Sequence, residues 1–196
     1  MKKFLSLALA LGLVGLFAGC SNDAASGDTA KDTDTTKTET ATTSTGDIKM
    51  GRVNYAAHGD KSFAVAVVAM EGDKIVGASL DEFQFMDKTA DGVTPVPNAD
   101  GAFAEGFKDA NKPLASKLDS SKYYSSHMAE AAGSTKTVEE NYGAIEDYVI
   151  GKTVAELEET LKANEGEKML DVVSGATLVD THGYVSALVE AAKSVK

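Results

Sequence analysis

Two β-rich runs, residues 62–70 and 75–86, lie on either side of Glu71-Gly72-Asp73-Lys74, and this pattern constrains the fold more than any other stretch. In the first run Phe63, Val65, Val67 and Ala69 alternate with their neighbours, which is the period of a strand. A Gly-Asp pair between two such runs signals a tight hairpin. Residues 52–57 read as a shorter strand ahead of it. Hairpins join antiparallel neighbours, so this half of the chain predicts an antiparallel sheet.

The period then changes. Val138, Tyr142, Ile145 and Val149 recur three and four residues apart and predict a helix over 137–150, ended at Gly151-Lys152. Thr153 opens a second helix, with Glu156 placed as its capping-box partner and Val154, Leu157 and Leu161 as its apolar stripe. Residues 168–173 read as a last strand. Leu178, Val185, Leu188, Val189 and Ala192 predict a last helix, in which Gly183 costs up to about 1 kcal/mol against Ala and leaves room for a close contact. Residues 87–136 read as irregular, broken by Pro95, Pro97 and Pro113. Within them, residues 114–117 (Leu-Ala-Ser-Lys) and 123–128, with Tyr123, Tyr124, His127 and Met128, are a candidate lid over a planar ring, or plain loop packing. Gly133-Ser134-Thr135-Lys136 is a candidate phosphate-contacting turn, or simply the start of a helix. Sheet first and helices after predict an α+β domain over 48–196: a twisted antiparallel sheet with helices mainly on one face.

The chain opens with Lys2 and Lys3, an almost wholly apolar run over 4–17, and Ala18-Gly19-Cys20. The run is short for a membrane span and fits the core of a signal peptide. Cys20 is the only cysteine, and its place after small residues resembles a lipoprotein signal over 1–20, with Cys20 the lipidated first residue of the mature protein. Two or three acyl chains, at about 0.8 kcal/mol per buried CH₂, would anchor it to the bilayer. Residues 21–47 are Ser, Thr, Asp, Lys and similar residues with no large apolar side chain, and read as a disordered tether. As a random coil it would span on the order of 30 Å.

Without Lys2 and Lys3 the chain carries 17 basic against 30 acidic residues, and Arg52 is its only arginine. That balance argues against a nucleic-acid partner and against binding to anionic lipid headgroups. Other chemistries lack their residues. No Gly-x-Ser-x-Gly elbow, phosphate-binding Walker loop or paired cysteine is present. His58, His127 and His182 lack metal-ligand spacing. A Ser174–His182–Asp triad is disfavoured, because residues so close along one junction seldom reach hydrogen-bond geometry.

One stretch carries chemistry of its own. Asp171-Val-Val-Ser174-Gly175-Ala176-Thr177 places two hydroxyls around two small residues, where the expected strand gives way to the expected helix. Free backbone N–H groups and the positive end of a helix dipole suit such a junction to a phosphate. Gly175 and Ala176 leave space for a bulky group. Ser174 as a plain helix cap is the alternative. The motif Asp171-x-x-Ser174-Gly175-Ala176-Thr177 resembles the flavinylation motif of the FMN-binding domain family. That family includes the C subunit of the sodium-pumping NADH:quinone reductase, the G subunit of Rnf-type complexes, and extracytoplasmic flavoproteins of Gram-positive electron export. Where the family often has Ser or Thr two residues after the modified Thr, this chain has Val179.

The resemblance implies FMN joined to Thr177 by a phosphoester bond, placed there by a flavin transferase using FAD. Asp171, Ser174, Gly175 and Ala176 would complete the cofactor-binding segment. It further implies a lipid-anchored electron carrier on the outer face of the cytoplasmic membrane, between a membrane electron donor and an extracellular acceptor. The competing class is a non-redox lipoprotein that uses the same pocket to bind a small ligand. A secreted signalling peptide from residues 13–19 is compatible with either.

Overall fold

The computed structural model describes residues 46–196. The expected signal segment, Cys20 and all but the last two residues of the expected tether lie outside the described residues.

Four strands form one antiparallel sheet in the order β1-β2-β3-β4: β1 (Ile48–Tyr55), β2 (Ser62–Glu71), β3 (Lys74–Phe85) and β4 (Leu114–Ser116). The hairpin between β2 and β3 pairs Glu71 with Lys74, so Gly72 and Asp73 alone make the turn. Gly72 sits at φ +61°, the left-handed region that glycine enters without steric cost. β1 begins earlier than the expected residue 52 and ends before 57. β4 and α1 (Ser121–Ala132) lie inside the stretch expected to be irregular. Tyr124 and Met128, one helical turn apart, are the buried pair that holds α1 down.

Helices α2 (Val138–Val149) and α3 (Val154–Ala163) follow the sequence closely, because both are capped by their own first turn. Thr137 pairs with Glu140, and Thr153 with Glu156, in complete capping boxes. The stripe Val138, Tyr142, Ile145 and Val149 is buried, as is Leu157. The last helix, α4 (Thr181–Lys193), starts three residues later than Leu178.

The fold is α+β, with helices on one face of the sheet. α4 lies across β1 and β2, and α2 lies against β3. Alternation along β2 leaves open which of its faces turns inward, and the packing decides it. Ala64, Ala66, Val68 and Met70 are buried, whereas Phe63, Val65, Val67 and Ala69 face away. The small residues are inside because α4 comes very close. A Cβ on Gly51 would stand 2.0 Å from the Ala191 carbonyl oxygen, and one on Gly183 would stand 2.2 Å from that of Ala57. Gly183 thus provides the close contact expected of it. Opposite the helices, Phe63 stacks on Phe83 at 5.5 Å, and Phe107 meets Phe85 and Phe103 edge-on.

Residues 168–173 do not form a strand. Gly166–Asp171 is a 3₁₀ helix, and the amides of Val172 and Val173 both donate to the Met169 carbonyl. Met169 and Val173 are fully buried four residues apart. That is the spacing of one helical turn; a strand would bury every second residue.

Candidate functional site

The segment between the 3₁₀ helix and α4 is a loop pinned at two points. Val173 and Ala176 enter the core, and the Ala176 amide closes a turn onto the Val173 carbonyl at 3.1 Å. Gly175 stands at φ +94°, where its missing Cβ would lie 3.3 Å from that of Ala144. A side chain at 175 is excluded by backbone conformation as much as by space. Ser174, Gly175 and Thr177 are left exposed.

Thr177 is held from the side. Its amide donates to Asn141 Oδ1 at 2.6 Å, and its hydroxyl donates to the same oxygen at 3.1 Å. Asn141 is fully buried on α2 and donates its Nδ2 to the Thr137 carbonyl at 2.9 Å. Ser134 Oγ lies 3.3 Å from Thr177 Oγ1. It is placed there by Gly133, which ends α1 in the left-handed conformation at φ +65°. The end of α1, the first turn of α2 and the loop therefore meet at one hydroxyl.

Thr177 lies three residues ahead of Asp180, the residue that precedes α4. The hydroxyl is not at the mouth of that helix, as the sequence had suggested, and Ser174 does not cap it. Asp180 makes no cap hydrogen bond and instead pairs with His58 Nδ1. The amides of Leu178, Val179 and Asp180 make no hydrogen bond to any described residue. Thr181 is buried, and its hydroxyl donates to the Leu178 carbonyl at 2.6 Å.

A cavity of about 240 Å³ opens beside Thr177. Tyr124, His127 and Met128 of α1 form one wall, and Leu178, Tyr184 and His58 contribute to the others. A second hollow of about 370 Å³ adjoins it, sharing His58, Tyr124 and His127. The expected lid residues Tyr124 and His127 are thus wall residues on a helix. Ser174 belongs elsewhere: it borders a groove of about 530 Å³ formed with Lys136, Ala144 and Tyr148. The two hydroxyls of the motif therefore face different depressions. Asp171 is exposed at the end of the 3₁₀ helix and lines neither.

A buried polar cluster lies under the cavity. Tyr184 donates its hydroxyl to Glu82 Oε2 at 2.6 Å, and Ser62 donates to Glu82 Oε1 at 2.8 Å. Lys117 completes the cluster as an ion pair with Glu82, both side chains fully buried. The Lys117 ammonium also stands 4.3 Å from the centre of the Tyr124 ring. Burial pushes the phenols of Tyr184 and Tyr142 far above the ordinary tyrosine value, so both stay neutral donors. The two rings meet edge-on at 5.2 Å.

Thr177 and the turn at Ser134 were legible in the sequence. Lys117 falls in the candidate lid but lies buried against Glu82, and sequence reasoning does not reach Asn141, Glu82, His58 or Tyr184 as site residues. A signal existed for two of them: Asn141 interrupts the apolar face of α2, and Glu82 stands in step with Leu80 on the inward side of β3. No protein-family model, curated protein or solved structure matches the chain.

Proposed function

We propose that the protein is a lipid-anchored extracytoplasmic flavoprotein that carries FMN covalently on Thr177 and relays electrons. The observation that supports this most is the setting of Thr177. An exposed hydroxyl, fixed from behind by Asn141, stands at the edge of a cavity walled by Tyr124, His127 and Tyr184. The residues present fit the group. A hydroxyl supplies the ester oxygen, and the amides of Leu178, Val179 and Asp180, without a partner among the described residues, suit a phosphate. Aromatic walls suit a planar ring, since offset and edge-on ring contacts each contribute about 0.5–1.5 kcal/mol beyond area.

The bound flavin supplies the redox chemistry; the chain holds it and sets its surroundings. Thr177 fixes the attachment point, and the small residues Gly175 and Ala176 keep the loop low beside it. Tyr184, tied to Glu82 and kept neutral by burial, lines the cavity with a group that does not ionise. A covalent link suits a protein outside the membrane, where a lost cofactor cannot be replaced from the cytoplasm. The lone cysteine at the end of the apolar leader supports anchoring through Cys20.

Coexpression with a flavin transferase, followed by peptide mass spectrometry, tests this reading. FMN less one water should appear on the peptide containing Thr177. Thr177→Val keeps the side-chain shape and should abolish it with the fold intact, and Thr177→Ser should retain part of it. Flavin on Ser174 or Thr181, or on the Thr177→Val protein, refutes the assignment. No flavin under conditions that label a known family member favours the non-redox binder. Cys20→Ala should move the protein from the membrane fraction into the medium; retention of a correctly cleaved Cys20→Ala protein counts against the anchor.

A further inference from the structure

Asn141 is a fully buried amide on an otherwise apolar helix face, and its hydrogen bonds fix which way it points. Nδ2 donates to the Thr137 carbonyl, and Oδ1 accepts from the Thr177 amide. Flipping the carboxamide would lose both bonds. An amide oxygen has no proton to give, so the Thr177 hydroxyl must be the donor in the contact at 3.1 Å. Its proton is thereby directed into the protein and its lone pairs outward, while the Ser134 hydroxyl, 3.3 Å away, donates to the Lys136 carbonyl at 2.9 Å.

We propose that Asn141 is the positioning residue for covalent modification of Thr177: it presents the free hydroxyl and, once the ester has formed, turns the side chain away. This rests on the covalent-FMN reading above. In the modification step Thr177 Oγ1 forms a bond to the FMN-side phosphorus of FAD. The bond from that phosphorus to the bridging oxygen breaks, AMP leaves with that oxygen, and the hydroxyl proton passes to solvent. Nothing is oxidised or reduced.

The product cannot keep the contact of the reactant. The esterified Oγ1 carries no hydrogen, and it would face Asn141 Oδ1 as one acceptor against another. The amide is locked at both ends, so relief comes from rotation of the Thr177 side chain toward the cavity it lines. The Thr177 amide bond to Oδ1 remains and keeps the loop in place. Ser134 would meet the ester oxygen or its phosphate as a donor only by turning its hydroxyl away from the Lys136 carbonyl. The same geometry separates the three candidate hydroxyls. Thr181 is buried and engaged with Leu178, and Ser174 has no orienting partner and borders the other groove. Thr177 alone is both exposed and aimed.

A double-mutant cycle on unmodified protein tests the contact without flavin. Thr177→Val should lower Tm in the otherwise native protein and leave it unchanged in an Asn141→Ala background. With transferase and FAD, Asn141→Ala should be modified at least tenfold more slowly, while circular dichroism shows the fold kept. In the native chain, three-bond NMR couplings at Thr177 should report a different χ1 after modification. That measurement needs no variant, so an Asn141→Ala protein that fails to fold does not rescue the idea. Independent Tm losses, a native rate for Asn141→Ala, or an unchanged χ1 would each overturn it with covalent FMN still standing. An intact Asn141–Thr177 coupling in a chain the transferase never labels overturns the FMN reading, and the proposal with it.

Discussion

Replacing Lys117 with Met should destabilise this protein more than almost any other single substitution. Lys117 follows β4, and its backbone amide donates to the Glu82 carbonyl at 2.8 Å, so the two residues are fixed opposite one another before their side chains meet. Both side chains are fully buried. Met fills nearly the same volume, so the change removes the charge and leaves the packing. Glu82 would retain the Ser62 and Tyr184 hydroxyls as donors, with no cation nearby. Removing one partner of a buried ion pair costs about 3–5 kcal/mol, because the remaining charge stays desolvated. Loss of the ammonium over the Tyr124 ring acts in the same direction, by about 0.5–2 kcal/mol.

Against a total stability of about 5–15 kcal/mol, this is roughly a fifth of the whole or more. Urea unfolding reads it directly. With a slope of about 2 kcal/mol/M, the midpoint should fall by roughly 2 M. A second substitution separates charge from packing. In the Lys117→Met/Glu82→Gln protein no charge is buried, and a neutral amide is far cheaper to desolvate. At least half of the lost stability should return. A single variant that loses less than about 1 kcal/mol, or a double variant no better than the single, would refute the argument that an unpaired charge sets the cost.

Gly183→Ala should be net destabilising by about 1–3 kcal/mol through overpacking against the Ala57 carbonyl, even though an isolated helix gains about 1 kcal/mol from the same change; thermal unfolding decides, and a variant as stable as the native protein would show that α4 and the segment after β1 can move apart freely. The Glu156 carboxyl is held below the ordinary glutamate value of 4.5, first by the Thr153 amide and then by the Thr153 hydroxyl. Its contribution is therefore present above that value and lost as pH falls through the folded one. The Tm advantage of the native protein over Glu156→Gln should shrink between pH 7 and pH 3, and an equal difference at both ends would count against the linkage.

The parts of this fold that were legible in the sequence are those whose causes are local. The two capping boxes, the stripes of α2 and α3, and the two-residue turn at Gly72-Asp73 each depend on residues within a few positions of one another. The parts that were not legible depend on distant neighbours. Both faces of β2 are apolar, and alternation alone cannot say which one turns inward. The answer lies in Gly51 and Gly183, whose missing side chains let α4 approach, with Ala64 and Ala66 buried on the inward face of β2. Residues 168–173 carry apolar residues at both strand and helix spacings. The pair Met169 and Val173 decides between them only once a core exists to receive both.

The site divides along the same line, and the division says what each kind of signal is worth. Thr177 is readable because its neighbours in the chain are small and its motif is contiguous. The groups that control it come from 36 and 43 residues away, Asn141 and Ser134, and no spacing rule joins them to it. Yet Asn141 was not silent. It follows Val138 by three residues on the face that Tyr142 and Ile145 also occupy, so helical geometry alone buries it. A buried amide must find partners for its oxygen and its nitrogen, because leaving either unmade costs about 1–3 kcal/mol. The sequence therefore already demands a donor and an acceptor beside Asn141; the Thr137 carbonyl, one turn back on the same helix, meets half of that demand. The donor for the oxygen has to come from another element, and the fold supplies it as the backbone amide and hydroxyl of Thr177.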